Sequence, residues 1–147
     1  MVVEDSSVYE GNAVRKALAY AVWGEMPCFA DDTGLEIAEI GGYPGVYTAR
    51  VGVHALRERL AAGRQYEARF VCCVAYAQPN GRRIAVTATL PGIFVPSHEV
   101  QASRTTLEFS PYFIPAGQSR SLRDLLEDGY ADSHRARAFR TLLHAMS

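Results

Sequence analysis

Two adjacent carboxylates, Asp31 and Asp32, follow the short apolar run 26–30 (MPCFA) and lead directly into Thr33, Gly34 and a glycine-rich stretch, so that residues 29–50 read FADDTGLEIAEIGGYPGVYTAR. Desolvating two like charges together is costly and raises at least one pKa, so core strands avoid such pairs unless something neutralises them. Two chemistries fit. Either aspartate can bond the backbone N–H groups of a following turn, a common use of Asp before Thr-Gly. Alternatively, one is a hard-metal ligand or a general base, since Mg²⁺ prefers one or two carboxylates and keeps its other positions for water and phosphate oxygens. The dipeptide alone favours the turn; its flanks shift the balance to the metal or base.

The elements that must position these residues are readable around them. In residues 11–23 Val14, Ala17, Leu18, Ala21 and Val22 recur at helical spacing, with Asn12 as N-cap and Gly24 as stop, which predicts an amphipathic helix. Residues 26–30 predict a buried strand that ends at Asp31 and Asp32, placing the carboxylates at a strand C-terminus, where open α/β sheets keep their sites. Gly41, Gly42, Pro44 and Gly45 predict a loop, and residues 53–62 a short helix ended by Gly63. The clearest β signal is residues 66–77, a turn at Pro79-Asn80-Gly81, and a second run from 82 to 90, with Pro91-Gly92 breaking or bulging it. Residues 96–106 lack a period and read as loop. FSPYFIP (109–115) is bracketed by prolines and excluded from a helix or a central strand. Leu122, Leu125 and Leu126 predict one helix. Asp132 or Ser133 caps a last one, whose apolar face is Ala136, Phe139, Leu142, Leu143 and Met146.

Composition bounds the function. A chain of 147 residues, 48% hydrophobic and 21% charged, fits a single domain spanning 1–147 with a core of its own. A formal net charge of −1 supplies no field for duplex nucleic acid or an anionic membrane, so an anionic ligand must be met locally. Cys28, Cys72 and Cys73 are odd in number and lie in apolar runs, which points to a reducing compartment. No apolar run approaches a membrane span, and the acidic N-terminus does not suit a signal peptide, so the expected location is cytoplasmic.

Residues 30–50, ADDTGLEIAEIGGYPGVYTAR, closely resemble the signature ADDSGLxVxxLGGxPGxYSARYxG of the Ham1-type, or inosine triphosphate pyrophosphatase, family, with Thr33 for Ser and Tyr47-Thr48-Ala49-Arg50 for YSAR. Upstream, Glu4, Tyr9, Asn12, Ala13, Lys16 and Ala17 fall into a pattern similar to E-x-G-x-T-F-x-E-N-A-x-x-K-A. Downstream, residues 68–70 (ARF) and Pro91-Gly92-Ile93 resemble the family's central hairpin. Phe109-Ser110-Pro111-Tyr112-Phe113 stands in for F-G-Y-D-P-x-F, and residues 133–138 are similar to S-H-R-x-x-A. The resemblance implies an α/β fold: a long, twisted mixed sheet with flanking helices and two lobes around a nucleotide cleft. It implies Mg²⁺-dependent hydrolysis of inosine and xanthosine triphosphates and their deoxy forms to the monophosphate and pyrophosphate, by a homodimer. Glu4 and Asp32 would hold Mg²⁺, and Asp32 would orient or deprotonate the attacking water with Asp31 in support. Contacts to the purine nucleotide would come from Lys16, Thr33, Gly34, Arg50, Phe109, Tyr112, His134 and Arg135.

The chain departs from the pattern in four places. It opens where the family's N-terminal strand and S/T-x-N-x-x-K loop should have ended, and Gly11 replaces the glutamate of E-N-A. Ser110 replaces the aspartate of Y-D-P, in a region that has lost most of its glycines. Gly129 and Tyr130 replace the lysine and asparagine before S-H-R. Such losses would thin the phosphate grip and leave a sheet edge to be covered, while the carboxylates and S-H-R survive. Two further functions therefore stand beside the family activity: a divergent hydrolase of another phosphorylated nucleoside, and a catalytically silent nucleotide-binding protein.

Overall fold

The computed structural model describes residues 6–97 and 108–147. A long hairpin forms its centre, β3 (Tyr66–Ala77) against β4 (Arg83–Phe94), around the expected turn at Pro79-Asn80-Gly81. The turn closes through the Gln78 N–H to the Arg82 carbonyl at 2.8 Å, and Gly81 takes a φ of +92°, a region open to glycine at no steric cost. Pro91 and Gly92 stay inside β4 and keep its pairing with β3. A side chain at 92 would strike Phe113 of the short edge strand β5 (Phe113–Pro115), so the glycine lets β5 approach.

The strand order is β2-β1-β3-β4-β5, with β1 (Cys28–Ile37) and β2 (Tyr43–Gly45) completing the sheet. The α/β class stands, but every ladder among the described residues is antiparallel, where a mixed sheet was expected. Parallel pairing needs a crossover that brings the chain back to the same end of the sheet; each pair of neighbours here runs in opposite directions.

Strand β1 also runs further than its apolar start predicts. Asp31 and Asp32 lie within it, paired with Val74 and Cys73 of β3, rather than at its C-terminal end. Thr33, Gly34, Leu35, Glu36 and Ile37 continue the ladder, because a strand with a helix on each face can give a polar side chain a partner on either side.

One helix covers each face. Helix α1 (Ser6–Gly24) lays Tyr9, Ala13, Ala17 and Ala21, one turn apart, on Val71, Cys73, Ala75 and Ala77. Val22 lies outside this face and is 60% exposed. The helix begins well before Asn12, which is therefore an interior residue and not its N-cap. On the other face α4 (His134–Met146) packs Ala138 and Leu142 on Cys72 and Val74. Ser133 is its cap, accepting from the Ala136 N–H at 3.1 Å, while Leu143 and Met146, expected on the buried face, stay exposed. Helix α2 (Val53–Glu58) contributes Leu56 and α3 (Leu122–Glu127) contributes Leu122 to a third cluster with Leu35, Phe70 and Phe113. No helix of the described residues is long and apolar enough to cross a membrane.

Gly34 is the tightest point where α1, β1 and β2 meet. A Cβ there would lie 2.5 Å from the Gly45 carbonyl oxygen and 2.6 Å from the Tyr9 hydroxyl. Gly34→Ala is expected to destabilise the fold by about 1–3 kcal/mol, through overpacking against backbone. Gly11→Ala, in open space on α1, is expected to stabilise it by about 0.5–1 kcal/mol. Chemical denaturation of both variants checks the pair; equal effects would contradict the packing described.

Candidate active site

Successive residues of a strand face opposite sides of the sheet, so β1 aims Asp31 at α4 and Asp32 at α1. On the α1 side, the Asn12 amide donates to Asp32 Oδ2 at 3.0 Å, and Lys16 donates to the Asp31 carbonyl oxygen. On the α4 side, Asp31 Oδ2 accepts from Thr33 Oγ1 at 2.9 Å and from Arg135 Nη2 at 3.2 Å. The two carboxylates never share a face. The like-charge cost of the dipeptide is removed by alternation, and each aspartate has its own partners.

His134, the first residue of α4, sits face to face with Phe70, ring centroids 4.6 Å apart and planes within 12°, and Phe113 meets Phe70 edge-on at 4.7 Å. The imidazole is buried, and its Nδ1 has no hydrogen-bond partner among the described residues. Burial pushes its pKa down from 6.5 to about 4, with the Arg135 charge adding to the effect and Asp31 opposing it. At neutral pH the ring is uncharged and offers one donor and one acceptor. Arg135 beside it is exposed and charged. Together they offer donors and an acceptor on one short turn, suited to the polar edge of a base or to a phosphate oxygen.

Beneath this turn Cys72, opposite Thr33 in the ladder, is no nucleophile: burial pushes its thiol up to about 11, outweighing the hydrogen bond with Thr33. Burial likewise raises Cys73 on the other face. No group of three or more His, Cys, Asp or Glu side chains converges among the described residues. Among the oxygens on the α1 face, the Asp32 carboxylate and the Asn12 amide lie side by side. They are hard donors, too few to cage a cation, but the number that suits a divalent ion whose remaining positions go to phosphates and water.

The structure thus brings Asp31, Thr33, His134 and Arg135 together on one face, and Asp32, Asn12 and Lys16 on the other. Other expected site residues lie apart. Gly34 clears space for Tyr9 rather than for a phosphate. Phe109 is buried in the core, so its ring offers no free face. Tyr112 packs on Phe94 at 5.9 Å, under the Arg57 guanidinium at 5.0 Å. Arg50 is exposed at the end of the 3₁₀ turn Thr48–Arg50. Glu4 lies outside the described residues.

Several supports of the site carry no chemical signal of their own in the sequence. Thr48 is a clamp: its buried hydroxyl donates to the Gly45 carbonyl at 2.5 Å and accepts from the Leu35 N–H at 2.9 Å, tying the glycine loop to β1. Glu36 is buried between the Tyr9 hydroxyl at 2.9 Å and Arg69 Nε at 2.7 Å. Tyr9, Asn12 and Thr48 all stand inside the motifs quoted above, and position within a motif was the available signal.

The Ham1 family model matches residues 1–145. A protein of Deinococcus deserti named dITP/XTP pyrophosphatase is 35% identical over 148 residues, covering 95% of this chain and 70% of its own. One of the same name from Thermus thermophilus is 31% identical, over 99% and 74%. The crystal structure of a nucleoside-triphosphatase, or dITP/XTP pyrophosphatase, from Mycobacterium abscessus superimposes with a TM-score of 0.72 at 28% identity, covering 100% of this chain and 80% of that one. A HAM1 protein from Coxiella burnetii shares the fold, with a TM-score of 0.77 at 24% identity over 99% and 79%.

The depressed His134 pKa has a consequence for stability. Between pH 6.5 and 4 the unfolded chain binds a proton that folded His134 does not, so its contribution is full above pH 6.5 and lost as pH falls towards 4. Urea unfolding across that window is expected to show a loss of about 2–3 kcal/mol in the wild type that His134→Gln lacks. Parallel pH profiles for the two proteins would contradict a buried neutral imidazole.

Proposed function

This chain belongs to the Ham1 family, and from that premise we propose that it is a Mg²⁺-dependent nucleoside triphosphate pyrophosphatase, a single domain acting on non-canonical purine nucleotides such as ITP, XTP and dITP. Water attack opens the α–β anhydride and releases the monophosphate and pyrophosphate. The observation that carries this reading is the Asp31–Arg135 contact, which joins the aspartate motif to the Ser-His-Arg turn 104 residues away.

The adjacent acids divide the work. Asp32, held by Asn12, orients the attacking water or takes its proton, and Lys16 meets phosphate oxygens from the same face. Asp31 acts by holding Arg135. Arg135 donors suit the O6 and N7 acceptors of hypoxanthine and xanthine, whereas adenine presents an amino group where O6 would be. His134, neutral and stacked on Phe70, adds a donor or an acceptor to the same edge or to a phosphate oxygen. Asp32 and Glu4 are the residues that would hold Mg²⁺, which when bound neutralises phosphate charge. A homodimer and a cytoplasmic location complete the proposal, the latter supported by the free Cys28, Cys72 and Cys73.

The test is a panel of canonical and non-canonical triphosphates, with and without Mg²⁺, in which pyrophosphate and inorganic phosphate are measured separately. Expected is pyrophosphate from ITP, XTP or dITP, abolished by chelation and reduced about 10²–10⁴-fold in Asp32→Asn, the usual loss on removing a general base. Turnover confined to other nucleotides would point instead to the divergent hydrolase. Nucleotide binding without turnover would point to the silent homologue.

A further inference from the structure

We propose that Asp132 is a positioning residue that sets the pose of His134 and Arg135 through a clamp made with Arg137 and Arg140; this rests on the reading of that turn as the nucleotide's contact. Asp132 lies one residue before the helix cap and accepts a forked pair from Arg137, Nε to Oδ1 at 3.0 Å and Nη2 to Oδ2 at 2.7 Å. Arg140 Nη2 adds a bond to Oδ1 at 2.7 Å, and its Nη1 donates to the Ala131 carbonyl at 2.6 Å. Arg137 Nη1 reaches the Thr89 carbonyl of β4 at 3.0 Å. Thr89 adjoins Leu90, the ladder partner of Phe70, on which His134 stacks.

Helix capping does not explain this network. Ser133 already satisfies the Ala136 N–H, and α4 is anchored by Ala138 and Leu142. Single exposed ion pairs contribute little to stability. What the clamp adds is direction: it fastens the residues entering α4 to the helix's second turn and to the sheet. His134 and Arg135 leave a fixed backbone, and a reading turn held this way loses less freedom on binding. Bonds from Arg137 and Arg140 hold the Asp132 carboxyl at about 2, so the clamp stays charged throughout any working pH range.

The experiment measures KM and kcat for ITP, calorimetric Kd for ITP, and melting temperature. Asp132→Asn is expected to raise KM and Kd about tenfold with kcat nearly unchanged, since binding must then order side chains that the clamp no longer holds in place. Arg137→Lys, which keeps the charge and loses the fork, is expected to follow it, and Asp132→Glu to recover most of the affinity. Arg123→Ala, which removes a comparable exposed pair with Glu127 on α3, should change none of these. A lowered melting temperature with KM and Kd unchanged in both clamp variants would overturn the proposal and leave a purely structural role. Arg135→Ala separates the two failures. If it too leaves Kd unchanged, the reading of the turn falls; if it alone weakens binding, only the clamp does.

Discussion

Neighbouring residues on an extended strand cannot face the same way, and the arrangement around β1 depends on that constraint. It converts a repulsive Asp-Asp dipeptide into two separately partnered carboxylates. A helix is needed on each face to supply the partners, and α1 and α4 do so with Asn12 and Arg135. It also requires a central strand buried on both sides, which is why β3 runs Phe70-Val71-Cys72-Cys73-Val74-Ala75 without a polar residue. The site is a cross-section of the sheet: a carboxylate and amide above, an arginine and neutral histidine below, and a β-strand one residue thick between them.

Local chemistry was the part of this fold legible in the sequence. The β3–β4 hairpin is announced by Pro79-Asn80-Gly81 between two apolar runs, and the start of the last helix by a cap at Asp132 or Ser133, of which the structure uses Ser133. These signals operate within a few residues of the structure they specify. The extension of β1 through Asp31, Asp32 and Thr33 was not legible in that way, because polar residues in a strand are stabilised by side chains 20 and 104 positions distant. Asn12 has the composition of a cap, yet its amide is committed to Asp32. Phe109 sits in a segment that reads as an aromatic loop, but burial of the ring removes it from any ligand.

The site residues were legible as motif members more than as geometry. The family resemblance singled out Asp31, Asp32, His134 and Arg135, and the structure divides them differently from their order along the chain. Asp31 belongs with His134 and Arg135, whereas Asp32 belongs with Asn12 and Lys16. A pairing of this kind follows from strand parity once the length of the strand is known.

The stripe of Ala13, Ala17 and Ala21 sets the working tolerance of the upper half of the site. At these three positions the helix contributes only methyl groups to the contact, so α1 packs closely on Val71, Cys73, Ala75 and Ala77. Asn12 is carried on that helix, so its reach to Asp32 is set by the packing of apolar residues beside it. Precision in this half of the molecule is therefore held by its least reactive residues, and drift in the size of an alanine would detune the carboxylate without altering a single polar atom.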